Sequence, residues 1–366
     1  MKEAAHPSTF IGKALTDWIR ATSGDAESLR KLHPHQLAVI HKENWFNMFV
    51  PKKYGGLELA LVEGVKIEEA LSYADGSTGW VVTLCSGAAW FVGFLCPDLS
   101  LEVFSETDTC FAGSGARTGT AEETRGGYRV NGSWKYASGS LHATVFTANC
   151  ILVKEGKPVL NQRQEPVVRS FLFKKDEVKI VPAWKSIGMM ATGSHDFEIN
   201  NVTVPEERSF VIEADHALIS NPLYQYPFLQ LAEVTLTANL SGMAVRFLDL
   251  CEILFDSRAG KNQYTEIQSD IRFEKLGEAY IALREQRSKF YEALENSWKS
   301  CESGNGIPIE QLERVSGCSR QLGTAARTIV DDLYPYCGLV ATNMEEEINR
   351  VWRNFHTATQ HSLFTN

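Results

Sequence analysis

The spacing of apolar positions divides the chain into three stretches. From about residue 8 to 106 the period is helical. SLRKLHPHQLAVIHKENWF sets apolar side chains three and four apart, and VEGVKIEEALSYA repeats the pattern. Between them FVPKKYGGLEL carries a Pro and a Gly pair, which stop one helix and lead into a loop. From about 108 to 207 the period falls to two. In GGYRVNGSWKYASG, Tyr128, Val130, Trp134, Tyr136 and Ser138 share one face, with Arg129, Asn131, Ser133 and Lys135 on the other, as in a half-buried strand. TVFTANCILV, SFLFKK and SHDFEINNVTVP follow as short strands between turn residues, which predicts a small antiparallel barrel or sandwich. From about 214 four long helical patterns return, from LQLAEVTLTANLSGMAVRFLDLCEILF to MEEEINRVWRNFHTATQH, enough for an antiparallel four-helix bundle. The expected class is α+β, with an N-terminal helical domain over 1–107, a β-barrel over 108–210 and a C-terminal helical bundle over 211–366.

Composition removes several functions. A net charge of -9 leaves no basic excess for neutralising phosphates, so nucleic-acid binding is not expected. The most apolar stretch, Trp80 to Leu95, is broken by Ser and Gly, and no membrane span is expected. Polar residues interrupt MKEAAHPSTFIGKAL, so it does not read as a secretory leader. The eight cysteines contain no CxxC pair and the histidines no HExxH, so neither a disulfide framework nor a metal site is expected, and a cytoplasmic location is. Gly113 to Glu123, GSGARTGTAEE, lacks the GK[ST] ending of a phosphate loop.

The order helices, strands, helices resembles the acyl-CoA dehydrogenase superfamily. VPKKYGGLEL resembles a loop of its N-terminal domain, GYRVNGSWKYASG its strand leading to the flavin, and WKSIGMMATGSHDFEINNVTVPEE its later barrel strands. Two places resemble the flavin-dependent hydroxylase branch. Trp134 to Gly139 reads WKYASG where acyl-CoA-oxidising members carry a Trp-Ile-Thr-Asn type string, and GMMATGSHD is similar to that branch's GxxGTGS. In INRVWRNFHTATQHSLF the Arg-Asp pair of the dehydrogenases is Arg353-Asn354, and the position of their glutamate, nine residues after the Arg, is Ser362. No carboxylate follows Glu347, although some branches take the base from another helix; His356 and His361 occupy the stretch instead.

The resemblance implies the oxygenase component of a two-component monooxygenase. It would use reduced FMN or FADH2 and O2, through a C4a-hydroperoxyflavin, on a small aromatic or similarly apolar substrate. A separate NAD(P)H:flavin reductase would supply the flavin, since no GxGxxG unit follows a strand here. A homo-oligomer, a tetramer or at least a dimer, is also implied.

A dehydrogenase needs a carboxylate to take the substrate proton, whereas an oxygenase must shield its adduct from water and hold it with neutral donors. The resemblance puts Ser138 near flavin N5, on the predicted face of Trp134 and Tyr136; a serine in a strand-end turn reads the same way. His361 is the candidate for orienting substrate or peroxyflavin, with His356 as the alternative and a structural histidine as the other reading of both. The face Ile348, Val351, Trp352, Phe355 turns His361 away, so its role requires the helix to end near Thr359. Ser114, Trp134, Tyr136, Trp184, Thr192, Gly193 and Ser194 are candidates for lining the flavin, against core packing or a Gly-Ser turn. Arg258 and Gln268 resemble residues that reach the diphosphate or adenine of a neighbouring subunit's flavin, against a solvent-exposed helix end. His142 and His195 read as hydrogen-bonding members of the β-domain, and Tyr224, Tyr226 and Phe228 as a pocket wall or a staple at the junction. Two other functions remain open: an acyl-CoA dehydrogenase with Glu233 or Glu252 as base, and a cofactor-free binding protein of the same fold.

Overall fold

The computed structural model describes residues 3–365. Helices α1 (Lys13–Ala21), α2 (Ser23–Leu29), α3 (Pro34–Lys42), α4 (Leu61–Ala74), α5 (Gly76–Ala89) and α6 (Pro97–Val103) come first. Asp75 ends α4 and starts α5, its carboxylate accepting the Thr78 N–H at 2.8 Å, so two helices join through one capping residue. The stretch Gly76–Phe94 is long and apolar enough to cross a membrane, but 89% of it is buried within the protein, as befits a core helix.

The strands are β1 (Phe111–Thr124), β2 (Gly127–Ala137), β3 (Val145–Lys154), β4 (Lys157–Pro158), β5 (Val168–Lys174), β6 (Lys179–Val181), β7 (His195–Pro205) and β8 (Ser209–Phe210). They form a mixed sheet in the order β6-β7-β2-β1-β3-β5-β8, with β4 on β3. The expected antiparallel barrel is corrected here. Among the described residues β6 and β8 remain open edges, and β3 runs parallel to β1. The segment after β2 carries the chain past β1 to its other side, which makes β3 parallel to it. A period of two reports which face is buried, and says nothing of a neighbour's direction or of closure.

The predicted face of β2 is also corrected. Trp134 and Ala137 point inward while Tyr136 is 66% exposed, because the pairing with β7 shifts between Trp134 and Ala137 and Tyr136 takes a left-handed φ of 64°.

After α7 (Pro222–Gln225) come α8 (Phe228–Gly260), α9 (Glu266–Glu302), α10 (Ile309–Cys337), α11 (Glu347–Ala358) and α12 (Ser362–Thr365). The three long helices pack on one another, whereas the short α11 leans on α8 and α5, and α4 lies along α8. The N-terminal and C-terminal helices therefore share one hydrophobic core, and the sheet has its own around Trp134, Phe146, Phe171 and Phe197. Gly242 permits the close α4–α8 approach, since a Cβ there would lie 2.2 Å from the Glu69 carbonyl oxygen. Beside it Glu69 is fully buried with Arg287 (2.8 Å), Tyr291 (2.7 Å) and Ser241 as partners.

Candidate active site between the sheet and the helices

A cavity of about 150 Å³ opens where α5 and the start of α8 meet β1, β3 and β5. Leu84, Phe91, Phe228 and Leu231 give it apolar walls, and Ser114, Asn149 and Thr235 add neutral polar groups. None of the described residues lining it is charged. Ser138, just beyond the end of β2, forms part of the wall and is 5% exposed.

Behind Ser138 lies a row of neutral hydrogen-bonding groups. The Trp80 indole N–H donates to Ser138 Oγ at 3.1 Å. Ser138 Oγ is 2.8 Å from Ser194 Oγ, which is 2.6 Å from Thr192 Oγ1, and the Thr192 hydroxyl donates to the Met189 carbonyl at 2.8 Å. The indole of Trp184 donates to the same carbonyl at 2.8 Å, and His195 Nδ1 accepts the Ala183 and Trp184 N–H groups, which shapes the loop before β7. That loop is bolted to α11. The Met189 N–H donates to Asn354 Oδ1 at 2.6 Å, and Arg353 binds the Ile187 carbonyl and, through two nitrogens, Glu27. A Cβ at Gly188 would lie 2.0 Å from the Arg353 carbonyl oxygen, so only glycine permits this approach. The Arg-Asn pair of the sequence thus docks a loop.

α11 ends at Ala358 with Thr359 as its C-cap, which releases His361 from the helical face. Its ring lies 5.9 Å from that of Trp80, so Trp80 touches both Ser138 and His361. The Leu363 N–H donates to His361 Nδ1 at 3.3 Å, leaving the ring proton on Nε2. Burial holds this imidazole below its usual pKa, and at neutral pH it is an uncharged donor.

The other predicted residues are distributed as follows. Ser114 lines the cavity. Thr192, Gly193 and Ser194 adjoin Ser138, with Ser140 Oγ donating to the Gly193 carbonyl at 2.7 Å. Tyr136 and Trp184 form an outward-facing edge-to-face pair 6.1 Å apart. Trp134 does not join them. It is 0% exposed, stacks on Phe197 at 5.2 Å and donates to the Asn149 carbonyl, inside the sheet core. His356 is also elsewhere, 3.2 Å from Asp331 on α10 and over the Trp352 ring. Arg258 donates to the Cys337 carbonyl and Tyr264, and Gln268 makes the capping box of α9 with Thr265. Arg258 sits about 30 Å along α8 from the cavity residue Leu236, so one chain does not bring it to Ser138.

Among the remaining groups, Tyr224 and Tyr226 are core residues bonded to the Phe49 carbonyl and Ser297, and Phe228 alone of that trio reaches the cavity. Glu233 is held by Ser316 and Arg320, Glu252 by Tyr280, and neither lines the cavity. His142 is pushed down to about 4 by burial and then by nearby Lys31. Sequence reasoning missed Trp80. A tryptophan in a largely apolar helix reads as core, and only the crossing of α5 over the end of β2 shows where its N–H points.

Aromatic surface, a buried hydroxyl and open backbone lie on neighbouring elements here, a donor set compatible with a flat heteroaromatic ring. Tyr136, forced outward by its strained backbone, and Trp184 offer aromatic surface, Ser138 offers a polar atom, and a Cβ at Gly115 on the cavity wall would meet nothing within 4 Å.

Residues 234–366 match the family described as acyl-CoA dehydrogenase, C-terminal domain. The chain is 25% identical to indole-3-acetate monooxygenase of Pseudomonas putida, over 96% of this chain and 89% of that protein. It is 28% identical to the flavin-dependent monooxygenase, oxygenase subunit HsaA, of Mycobacterium tuberculosis, over 94% of this chain and 88% of that protein. Among solved structures it shares its fold with XiaF from a Streptomyces species, in complex with FADH2 and glycerol, at a TM-score of 0.82 and 24% identity over 96% of this chain and 89% of that one. The match to the acyl-CoA dehydrogenase C-terminal domain over residues 234–366 agrees with the shared fold, and the near-full-length relatives include an oxygenase subunit of a flavin-dependent monooxygenase.

Proposed function

We propose that this protein is the oxygenase component of a two-component monooxygenase acting on a small, neutral aromatic substrate. The observation that carries the reading is Ser138 on the wall of an uncharged cavity, backed by hydroxyls and by Trp80, whose ring also meets the neutral His361. Bound reduced flavin supplies the two electrons that reduce O2, one oxygen entering the substrate and the other leaving as water. Ser138 holds the ring edge, and the Trp184 to Ser194 loop walls it. His361 Nε2–H holds the oxygen or the substrate hydroxyl without adding charge. Leu84, Phe91, Phe228 and Leu231 pack the substrate and exclude water. Asn149, Ser114 and Thr235 suit a substrate hydroxyl or ring N–H, and a carboxylate would find no cation among these groups.

Reduced FMN and FADH2 carry the same ring, and this site takes either. The reductase is a separate protein, as the name of the HsaA relative, an oxygenase subunit, supports. Exposed Ile253, Ile267, Ile281 and Leu339 around Arg258 and Gln268 support burial of this surface in a homo-oligomer, a tetramer, where these two residues would face a neighbouring copy's flavin. The eight free cysteines suit a reducing compartment, the cytoplasm.

The test is to mix the protein anaerobically with reduced FMN or FADH2, add oxygenated buffer and follow flavin absorbance. Reoxidation slower than that of free reduced flavin is expected. Equal rates would overturn the reading.

A further inference from the structure

The hydroxyls behind Ser138 have a fixed direction. A carbonyl can only accept, so the Thr192 hydrogen points at the Met189 oxygen 2.8 Å away. Ser194 must therefore supply the hydrogen for its 2.6 Å contact with Thr192, and Ser138 the hydrogen for its 2.8 Å contact with Ser194. The Trp80 indole nitrogen can only donate, and it donates to Ser138. All the bonds run one way, from Trp80 through Ser138, Ser194 and Thr192 to the Met189 carbonyl, and each polarises the next. Trp80, Ser138, Ser194 and Thr192 are all buried, which keeps water from competing. The Met189 carbonyl would keep the Trp184 indole if the row turned around, but the Thr192 and Met189 oxygens would then face each other at 2.8 Å with no hydrogen between them.

With its hydrogen committed to Ser194 and one lone pair to Trp80, Ser138, a residue of the cavity wall, keeps a single lone pair for a ligand. It can accept there and cannot donate. Flavin N5 differs between redox states in this one respect, since the reduced ring carries N–H and the oxidised ring a bare lone pair. We infer that Ser194, Thr192 and the Met189 carbonyl are positioning groups that lock Ser138 as an acceptor and so set the site's preference for reduced over oxidised flavin. The inference rests on the flavin reading above, with Ser138 at N5.

The test measures dissociation constants of reduced and oxidised FMN and FAD under argon, together with the midpoint potential of the bound flavin, in the full chain. The wild type is expected to hold the reduced form more tightly. Ser194→Ala frees the Ser138 hydrogen to turn toward the cavity, and the reduced-over-oxidised ratio is expected to fall on the order of tenfold. That change equals a drop of about 30 mV in midpoint potential for a two-electron couple. Thr192→Val is expected to act in the same direction, whereas Thr192→Ser, which keeps the terminal hydroxyl, retains the wild-type ratio. Trp80→Phe removes a donor without reversing the row and should change the ratio by less than about twofold. If Ser194→Ala and Thr192→Val bind flavin with an unchanged ratio, the inference is wrong. If the wild type binds neither redox form, the flavin reading itself fails and takes this inference with it.

Discussion

Two of the buried polar clusters in this molecule are built on opposite rules. Between α4, α8 and α9, Glu69 and Arg287 bring full charges into the core and close on each other, with Tyr291 and Ser241 taking up further bonding capacity. Behind the cavity, Trp80, Ser138, Ser194 and Thr192 carry no charge, and the row leaves one acceptor position unspent on Ser138, a residue of the cavity wall. The first cluster joins helices. The second ends at a residue on a cavity wall. A buried polar residue is therefore best judged by whether its bonding capacity is exhausted inside the protein.

The largest expected effect separates the two clusters by stability. Arg287→Ala leaves Glu69 buried without its partner and is expected to cost about 3–5 kcal/mol in denaturant unfolding. Ser138→Ala should cost about 1 kcal/mol in the same assay. A similar loss for both would erase the distinction.

Next in size is a dependence on pH in the segment between β2 and β3. His142 is neutral and buried there, with a pKa of about 4 against about 6.5 when unfolded. Between these values the unfolded chain binds more protons, so stability rises with pH across the window. Lowering the pH from above 6.5 to 4 is expected to remove about 3 kcal/mol through this residue. Unfolding midpoints of His142→Gln at the two pH values would show a smaller difference than those of the wild type.

Function should respond in the reverse order to stability. Ser138→Ala is expected to speed reoxidation of bound flavin on the order of tenfold, read by stopped-flow absorbance, while Arg287→Lys leaves that rate unchanged wherever the fold persists. The smallest effect concerns His361. Its lowered pKa keeps it neutral above the ordinary imidazole value of about 6.5, so substrate oxidation should be flat at higher pH and decline only below it. His361→Gln should remove part of that acid limb, measured as product formed per reduced flavin.

Periodicity made much of the framework legible. The helix and strand stretches follow from apolar spacing, and the break that lets His361 leave its helix falls at Ala358. Other features depend on contacts that no local pattern encodes. The parallel pairing of β1 with β3 and the open edges at β6 and β8 depend on the path of a connection. Tyr136 leaves the face of Trp134 because of a shift against β7, a strand about sixty residues away. Trp134 was legible as an inward residue, yet that same burial separates it from any ligand. Arg258 and Gln268 satisfy their own chain's carbonyl and helix cap, a use that residue type alone does not reveal.

The hydrogen bond from Met189 to Asn354 has a consequence for biosynthesis. The carbonyl that terminates the hydroxyl row belongs to a loop held by α11, and almost the whole chain precedes that helix in sequence. The cavity walls can form while the polypeptide is still being made. The loop that carries this carbonyl gains its anchor on α11 only after residue 354 has been synthesised. A nascent chain that has built only its sheet and first helices still lacks this tie between the loop before β7 and α11.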